Sequence, residues 1–384
     1  MSKRRICVVV ASRANYGRIK SALVAIRNHP DLELQLVVGA SALLSRYGSA
    51  VNVIRADGFE PVANVYFVVE GENPTTMAKS TGLGIVELTS VFENLRPHFV
   101  LTVADRHETL STAVAATYMN IPLAHTQGGE VTGSIDESVR HAITKLAHIH
   151  FPATQEARER LIRMGEDPEM VFWTGCPAMD LVVQTDPRMT EDLFRKYRGV
   201  GPEFDLGGGF LLVIQHPVTT EYGCGREQVR ETLEAIRELN KPTVWLWPNV
   251  DAGSDEVSAE IRRFREQNPC CPYLHFFKNF SPEDYVKVLA NCRCIVGNSS
   301  SGIREGALLG TPCVNVGSRQ QGRERGCNVI DVGYNRREIL NAIRRQLDHG
   351  RYQPDYRFGD GHAGERIAQY LATVQPTLQK RITY

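Results

Sequence analysis

Three acidic side chains, Asp105, Glu130 and Asp136, stand in polar segments that follow short apolar runs of the chain. These runs, Phe99–Val103 and Ile121–His125, have the length and composition of buried strands. Because parallel strands end at a common edge of their sheet, we expect the three carboxylates to share one cleft. Carboxylates in one cleft raise one another's pKa, which suits general acid and base catalysis.

Two of these residues also have a purely structural interpretation. Asp105 and Asp136 each precede an expected helix, where a carboxylate can cap free backbone N–H groups. A capping carboxylate can still face a cleft, so the two interpretations are compatible. Arg106 and Arg140 lie in the same part of the sequence and are the expected counter-charges.

A second group of polar side chains lies in the stretch Cys294–Thr311. It is predicted to form a strand (Cys294–Val296), a turn with the serines Ser299–Ser301, and a helix over Gly302–Leu309. A helix start presents unpaired N–H groups and the positive end of the helix dipole, so a phosphate is the expected ligand. Glu305 suits the neutral hydroxyls of a ribose. The alternative is a serine-capped helix without a ligand.

Further candidate residues follow other predicted strands. Arg13 and Arg18 follow Arg4–Ala11 and could hold a diphosphate, although an exposed arginine is usually only solvated. His216 follows Phe210–Gln215 and could donate a hydrogen bond to a leaving phosphate. A lone histidine more often has only a structural hydrogen bond, so this signal is weak alone.

Two residues near the ends of later strands complete the set. Phe280 follows the apolar run Tyr273–Phe277 and could stack on a base, although a core aromatic residue is the alternative. Arg319 follows Pro312–Val316 and is a candidate contact for a phosphate or a base. Their common position at strand ends is what favours a ligand site.

The elements that would position these residues alternate between short apolar strands and helices. This alternation predicts an α/β fold with parallel sheets covered on both faces. The pattern weakens around Cys176–Asp205 and resumes at Phe210, so we predict two Rossmann-like domains, residues 1–180 and 181–362. A helix at about 363–384 is expected to pack back on the first domain.

The composition narrows the possible functions. The 384 residues include 44 Lys+Arg and 44 Asp+Glu, a balance that argues against nucleic acid or a membrane surface as partner. The nine cysteines are scattered with poor zinc spacing, so no metal is expected. No signal-peptide pattern or long apolar segment stands out, and a cytoplasmic enzyme is predicted.

Seven segments carry a resemblance to a known family. In chain order they read SRANY, ADRHE, GGEVTGSIDESVRHAITKLAH, QHPVTT, PNVDAGS, GNSSSGIREGALLGTPCVN and GSRQQGRE. The set resembles the hydrolysing UDP-N-acetylglucosamine 2-epimerases and extends over essentially the whole chain. The resemblance implies a two-domain fold of the glycosyltransferase-B type with the active site between the domains. The segment GGEVTGSIDESVRHAITKL is typical of the hydrolysing branch.

The resemblance also implies roles for individual residues. It places catalytic positions on Asp105, Glu130, Asp136, Arg140 and His216. It places nucleotide contacts on Arg13, Arg106, Asn249, Phe280, Ser299, Ser300, Glu305 and Arg319. Many members have a glutamate where this chain has Gln127, and a neutral amide cannot act as a general base. Departures at Ala42, Ala104 and His107 also concern the acid–base assignment and the sugar substituents rather than the fold.

The implied reaction converts UDP-N-acetylglucosamine and water to N-acetylmannosamine and UDP through a glycal, without a cofactor, as a step toward sialic-acid-type sugars. Three alternatives stay open. They are the same reaction on a UDP- or GDP-linked diacetamido sugar, a glycosyltransferase of the same architecture, and a nucleotide-sugar sensor without activity. The resemblance further implies a homodimer or homotetramer that binds a nucleotide sugar.

Overall fold

Two parallel six-stranded sheets organise the protein, one in each half of the chain. The computed structural model describes residues 3–190, 192–202, 208–248, 251–269 and 271–383. In these ranges all pairs of named strands are parallel, and helices connect successive strands. The predicted α/β fold with two Rossmann-like units is therefore confirmed.

The first half of the chain forms the first sheet and the helices around it. Its strands are β1 Arg4–Val10, β2 Leu32–Gly39, β3 Ala63–Val65, β4 Phe99–Val103, β5 Leu123–Thr126 and β6 Ile149–Phe151. Its helices are α1 Arg13–Asn28, α2 Ala50–Ala56, α3 Pro74–Leu95, α4 His107–Tyr118, α5 Asp136–Leu146, α6 Gln155–Arg163 and α7 Pro177–Gln184. The next helix, α8 Leu193–Lys196, packs in the core of the second sheet. Short 3-10 turns lie at Ala40–Leu43, Ser45–Tyr47 and Pro168–Met170.

The second half repeats this pattern. Its strands are β7 Leu211–Ile214, β8 Thr243–Leu246, β9 Leu274–Phe277, β10 Cys294–Gly297, β11 Cys313–Val316 and β12 Val329–Val332. Its helices are α9 Gly225–Leu239, α10 Ser254–Gln267, α11 Pro282–Asn291, α12 Ser300–Ile303, α13 Glu305–Leu309, α14 Arg336–His349 and α15 Ala363–Thr373, and a 3-10 turn lies at Thr219–Glu221. In the described residues, none of the helices is long and apolar enough to cross a membrane.

The side chains of β1 explain why a continuous apolar run forms this strand. Ile6 and Val8 are fully buried in one core together with residues of α1 and α15. Cys7 and Val9 are buried in the opposite core together with residues of α3 and α4. Since successive side chains of a strand point to opposite faces, a sheet covered on both sides requires apolar residues at every position.

The order of the strands fixes where a ligand can bind. The first sheet has the order β3-β2-β1-β4-β5-β6 and the second the order β12-β11-β10-β7-β8-β9. In each sheet the strand order reverses at one switch point. This point lies between β1 and β4 in the first sheet and between β7 and β10 in the second. Open α/β sheets bind ligands at the carboxyl ends of the strands beside such a switch point.

Helix α15 returns from the second half of the chain to the first sheet. Ile367 and Leu371 lie in the core that contains β1 and α1. At the start of the helix, the Asp180 carboxylate accepts hydrogen bonds from the N–H groups of Ala363 (2.9 Å) and Gly364 (2.7 Å). Asp180 thus caps the start of α15, and the predicted domain boundary at this residue stays a prediction.

The predicted single helix over Gly302–Leu309 is wrong. The structure has two short helices, α12 and α13, separated at Arg304, whose φ of −90° and ψ of −72° interrupt the helical path. The side chain of Arg304 is buried and reaches Glu130 in the other half of the chain. Because α12 has only four residues, its dipole is small, and nearby side chains must contribute most of any anion binding.

The expected helix caps also differ from the structure. Asp136 is the first residue of α5 rather than its cap, and the start of α4 after Asp105 has no side-chain cap. Both carboxylates are therefore available for other contacts. The last helix ends at Thr373, well before residue 384, because Pro376 disfavours helical backbone at the residue before it.

Candidate active site

A pocket opens between the two sheets beside their switch points. Its cavity volume is about 150 Å³, and its walls come from α1, α11, α12, α13 and the segments after β7 and β11. The charged and polar residues that line it are Arg13, Arg18, His216, Asn279, Tyr285, Ser299, Ser300, Ser301, Glu305 and Arg319. The structure therefore brings together most of the predicted nucleotide contacts.

The serines after β10 form one wall of this pocket. Ser299 caps α12 and accepts a hydrogen bond from the N–H of Ser301 (3.4 Å), and the Ser301 hydroxyl is also bonded to Tyr285. The Ser300 hydroxyl accepts a hydrogen bond from Arg18 Nη2 at 2.6 Å, which joins the two halves of the chain. Hydroxyls beside a guanidinium are well suited to a phosphate.

Three more charged side chains extend the pocket. Glu305 Oε2 is buried and has no hydrogen-bond partner in the described residues, so it can accept a hydrogen bond from a ligand hydroxyl. Arg319 Nη1 donates to the carbonyl oxygen of Asn298 (3.2 Å), and Arg13 Nη1 donates to that of Lys278 (2.9 Å). Burial lowers the pKa of Arg13 to about 10, which leaves it cationic at neutral pH.

Phe280 belongs to an aromatic cluster beneath the pocket. Its ring lies 5.8 Å from that of Phe194, 4.8 Å from that of Tyr197 and 5.0 Å from that of Phe277, measured between ring centroids. Its side chain is buried, but it still contributes to the pocket wall. These contacts fit the core-aromatic alternative, and stacking on a base stays a prediction.

Asp105 follows β4 and is ion-paired with Arg140 of α5. Burial of the carboxylate raises its pKa, but the charges of Arg140, Arg18 and Arg323 outweigh this effect and hold the pKa well below its ordinary value. Arg140 also donates to the carbonyl oxygen of Glu130 at 2.8 Å. Asp105 is therefore a fixed negative charge at neutral pH.

Asp136 has a different environment although it stands close to Asp105 in the cleft. Within the described residues its side chain makes no hydrogen bond or ion pair. Burial, reinforced by the charge of Asp105, raises the pKa of Asp136 to about 6, while Arg319 acts in the opposite direction. A carboxylate with this pKa can take up and release a proton near neutral pH, as a general base or acid must.

Glu130 joins the two halves of the chain. It is 3% exposed and forms ion pairs with Arg304 and Arg323, both of which come from the second half. Burial raises the pKa of Glu130, but these two guanidinium groups reverse the effect and lower it below its ordinary value. Arg304 Nη1 also donates to Gln127 Oε1 at 2.9 Å, so the amide serves as a neutral acceptor beside the ion pairs.

His216 connects the segments that follow β7 and β10. Its backbone N–H donates to Asn298 Oδ1 (2.7 Å), and Asn298 Nδ2 donates to the carbonyl oxygen of His216 (2.8 Å). Burial, with a contribution from the charge of Arg319, lowers the pKa of His216 well below its ordinary value. The imidazole is therefore neutral near pH 7 and can donate one hydrogen bond without carrying charge.

Arg106 is held by two carboxylates. Its Nη1 lies 2.6 Å from Asp251 Oδ1, and its Nε and Nη2 each lie 3.1 Å from an oxygen of Glu108. The pair with Asp251 joins the segment after β4 to the second half of the chain. Its predicted role as a nucleotide contact stays a prediction, and Asn249, another predicted contact, lies outside the described residues.

Sequence reasoning missed Arg304, Arg323 and Tyr285 as parts of the site. The first two offered a signal, since both stand a few residues after strand ends in segments rich in serine and glycine, GNSSSGIRE and GSRQQGRE. Tyr285 lies inside α11, where a tyrosine is an ordinary helix residue. Only packing of α11 against α13 brings its hydroxyl to the serines.

Two Rossmann-like sheets with a polar cleft between them define an α/β protein of the glycosyltransferase-B-like class. Within this class, the family model described as UDP-N-acetylglucosamine 2-epimerase matches residues 24–372. The chain therefore belongs to the UDP-N-acetylglucosamine 2-epimerase family. This match confirms the resemblance found in the sequence segments.

Similar proteins of known name fall into two groups. The UDP-N,N'-diacetylbacillosamine 2-epimerase (hydrolyzing) of Legionella pneumophila is 36% identical over 97% of this chain and 96% of its own length. The GDP/UDP-N,N'-diacetylbacillosamine 2-epimerase (hydrolyzing) of Campylobacter jejuni is 30% identical over 87% of this chain and 86% of its own length. The UDP-N-acetylglucosamine 2-epimerase of Neisseria meningitidis is 28% identical over 96% of this chain and 95% of its own length.

Solved structures share the fold. The Methanocaldococcus jannaschii UDP-GlcNAc 2-epimerase in complex with UDP-GlcNAc and UDP aligns with a TM-score of 0.80 over 96% of this chain and 99% of that chain, at 17% identity. The Neisseria meningitidis enzyme bound to UDP-GlcNAc aligns with a TM-score of 0.78 over 96% of this chain and 99% of that chain, at 16% identity. At these sequence identities the comparison shows a shared fold and nothing further.

Proposed function

We propose that the protein is a hydrolysing 2-epimerase of a UDP-linked 2-acetamido sugar that acts through a glycal intermediate. The observation that carries the proposal is Asp136, a carboxylate with a pKa raised to about 6 beside the fixed charge of Asp105. Such a group can move a proton near neutral pH. The names of the relatives from Legionella pneumophila and Campylobacter jejuni, both hydrolysing, support this proposal.

The chemistry of the substrate requires a base and an anion site together. The hydrogen on C2 of the sugar is not acidic, because no carbonyl adjoins it. It becomes acidic as the C1–O bond to the diphosphate breaks and positive charge develops at C1. We therefore assign proton removal from C2 to Asp136, and stabilisation of the leaving diphosphate to the pocket beside α12.

The pocket supplies the hydrogen-bond donors that the leaving group needs. Arg18 and Ser300, already 2.6 Å apart, would both donate to the diphosphate, together with Arg319. Neutral His216 would add an N–H donor. Glu305, whose Oε2 lacks a partner among the described residues, would accept a hydrogen bond from a ribose hydroxyl.

The second step consumes the glycal. Water adds to C1 as a hydroxyl group and gives its other proton to solvent, while C2 receives a proton from solvent on the face opposite the one that lost it. Asp136 returns its proton to solvent, and the released sugar is inverted at C2. Asp105, kept ionised by Arg140, would stabilise positive charge at C1 in both steps. We assign Glu130 to positioning rather than proton transfer, because Arg304 and Arg323 hold it as an anion.

Two sugar nucleotides are candidate substrates. The sequence segments favoured UDP-N-acetylglucosamine, and the Neisseria meningitidis relative supports it at 28% identity. The Legionella pneumophila relative, at 36% identity, supports UDP-N,N'-diacetylbacillosamine at least as well. We place the diacetamido sugar first, since the more similar relative carries that name.

The test is release of nucleotide and free sugar from each candidate. Purified protein is incubated with UDP-N,N'-diacetylbacillosamine, its GDP-linked counterpart and UDP-N-acetylglucosamine, and the products are followed by NMR. In deuterium oxide, the free sugar should carry deuterium at C2, because the removed proton exchanges with solvent. In oxygen-18 water, the label should enter at C1 and not in UDP, because the C1–O bond is the one that breaks.

Other outcomes would contradict the proposal in distinct ways. A product still attached to its nucleotide would indicate the non-hydrolysing reaction, and label on the diphosphate would indicate attack at phosphorus. Turnover only with an added acceptor would indicate a glycosyltransferase. Binding of the nucleotide sugar without release of the nucleotide would indicate a sensor. The homodimer or homotetramer is a prediction from the resemblance, and light scattering tests it. The cytoplasmic location is a prediction from the composition.

A further inference from the structure

The segment after α15, residues 375–383, crosses the carboxyl end of helix α5; we call it the C-terminal strap. The ammonium group of Lys380 donates to the carbonyl oxygens of Thr144 (2.8 Å), Lys145 (3.2 Å) and Ala147 (2.6 Å). Carbonyl groups in the last turn of a helix have no partner within the helix. A cation there satisfies them and also interacts favourably with the helix dipole.

The strap is fixed by a buried carboxylate. Glu166 is fully buried, is ion-paired with Lys380 and with Lys145 Nζ (2.8 Å), and is hydrogen-bonded to His150 Nε2 (2.9 Å). The hydroxyl of Thr383 donates to the carbonyl oxygen of Glu166 (3.1 Å), and its N–H donates to that of Gly165 (3.0 Å). The ion pair with Glu166 holds the Lys380 side chain, and the hydrogen bonds of Thr383 hold the backbone of the strap that follows it.

Two of the residues proposed for the active site lie at the opposite end of α5. Asp136 is its first residue, and Arg140, one turn later, is ion-paired with Asp105 and donates to the carbonyl oxygen of Glu130. The helix has 11 residues, which is a rigid rod of about 16 Å. A shift or rotation at its carboxyl end therefore moves Asp136 relative to Asp105.

We propose that Lys380 is a positioning residue, and that the strap sets the position of α5 and so the geometry of Asp136 and Arg140. The expected change in kcat rests on the proposed function, whereas the expected change in hydrogen–deuterium exchange does not. Lys380 itself does not touch the pocket that would hold the nucleotide. Its loss should therefore affect the proton-transfer step and leave nucleotide binding unchanged.

The chain offers a matched control at the other end of the sequence. Arg4 Nη1 donates to the carbonyl oxygens of Leu371 (2.7 Å) and Val374 (2.8 Å) at the carboxyl end of α15. It is a cationic helix cap of the same kind, but its helix carries none of the proposed catalytic residues. Both Arg4→Met and Lys380→Met remove a cation that caps a helix, and Lys380→Met also removes one partner of the buried Glu166. We therefore expect the larger loss of stability in Lys380→Met and a loss of activity in that variant alone.

The experiment compares Lys380→Met, Lys380→Arg and Arg4→Met in the full-length protein. For Lys380→Met we expect kcat to fall about 10- to 100-fold, the scale of a misplacement of about 1 Å, with UDP affinity unchanged by calorimetry. Lys380→Arg, which keeps the charge and the donors, should restore most of kcat. Arg4→Met should keep the wild-type kcat.

A readout without turnover accompanies the kinetics. Hydrogen–deuterium exchange of the peptide that covers residues 134–142 should become faster in Lys380→Met and stay unchanged in Arg4→Met. Unchanged exchange and kcat in Lys380→Met, or equal losses in both Met variants, would overturn the proposal. If the wild-type protein releases no nucleotide, the proposed function fails, and the exchange data alone then decide the role of the strap.

Discussion

The switch point of the first sheet, between β1 and β4, and that of the second, between β7 and β10, have the same topology but different side chains. The first is occupied by Asp105 and its arginine partners, with Asp136 beside them. The second is occupied by Ser299, Ser300 and the neutral His216. One side is suited to moving protons and the other to holding an anion.

The two switch points differ in how their charges are compensated. At the first switch point the charges of Asp105 and Glu130 are compensated by arginines within the protein. At the second, Ser299, Ser300 and Arg319 line the pocket, and Arg18 of the first half donates to the Ser300 hydroxyl. Carboxylates that are already paired with arginines keep their geometry without a ligand, whereas the donors of the pocket gain an anionic partner only when a ligand binds.

The strongest test of this comparison removes the titrating carboxylate. Asp136→Asn should lower kcat by about 10²- to 10⁴-fold, because an amide cannot accept the proton from C2. UDP affinity and the free energy of unfolding should stay near wild type, since the side chain has no hydrogen-bonding partner in the described residues. Turnover within tenfold of wild type would remove Asp136 from the mechanism.

Glu130→Gln should act mainly on stability. Removing one partner of a buried ion pair leaves uncompensated charge, here on Arg304 and Arg323, and should lower the free energy of unfolding by about 3–5 kcal/mol in urea titrations. The matched control is Glu156→Gln. The Glu156 side chain is 58% exposed, and its ion pair with Arg160 should contribute under about 1 kcal/mol to stability. Equal effects of the two substitutions would contradict the assignment of Glu130 as a positioning residue.

At the second switch point, the double substitution Ser299→Ala with Ser300→Ala should weaken UDP binding by about 1–3 kcal/mol, the range for lost charge-assisted hydrogen bonds. Calorimetry on the folded variant measures this change. Ser138→Ala, at an exposed serine of α5, is the control and should leave UDP affinity unchanged. Unaltered affinity in the double variant would mean that the hydroxyl wall does not hold the diphosphate.

The mildest perturbation is a change of pH. Asp136 must be ionised to accept a proton, and burial raises its pKa to about 6 in the free protein, so kcat/KM should be half-maximal near pH 6 and fall about tenfold per pH unit below it. Asp105 and Glu130, whose pKa values their arginine partners lower, stay ionised over this range. A profile that is flat between pH 5 and 7, measured in wild-type protein, would contradict this assignment.

Much of the architecture was predictable because it depends on local pattern. Apolar runs such as RRICVVV indicate strands covered on both faces, and residues after strand ends meet at the sheet edge by topology alone. Ser299, Ser300, His216 and Arg319 each follow a predicted strand, and in the structure they line one pocket. The break at Arg304 was not predictable, because a buried long-range ion pair accompanies it.

The residue types at the ends of the strands, and with them the kind of chemistry available to the site, follow from the sequence. Which carboxylate has a pKa near neutral pH depends on folding. The arginines that hold Glu130 lie 174 and 193 residues away along the chain, and no local periodicity encodes such contacts. Asp136 has its raised pKa because burial and Asp105 act on it in the folded state, and both arise from packing rather than from its neighbours in sequence.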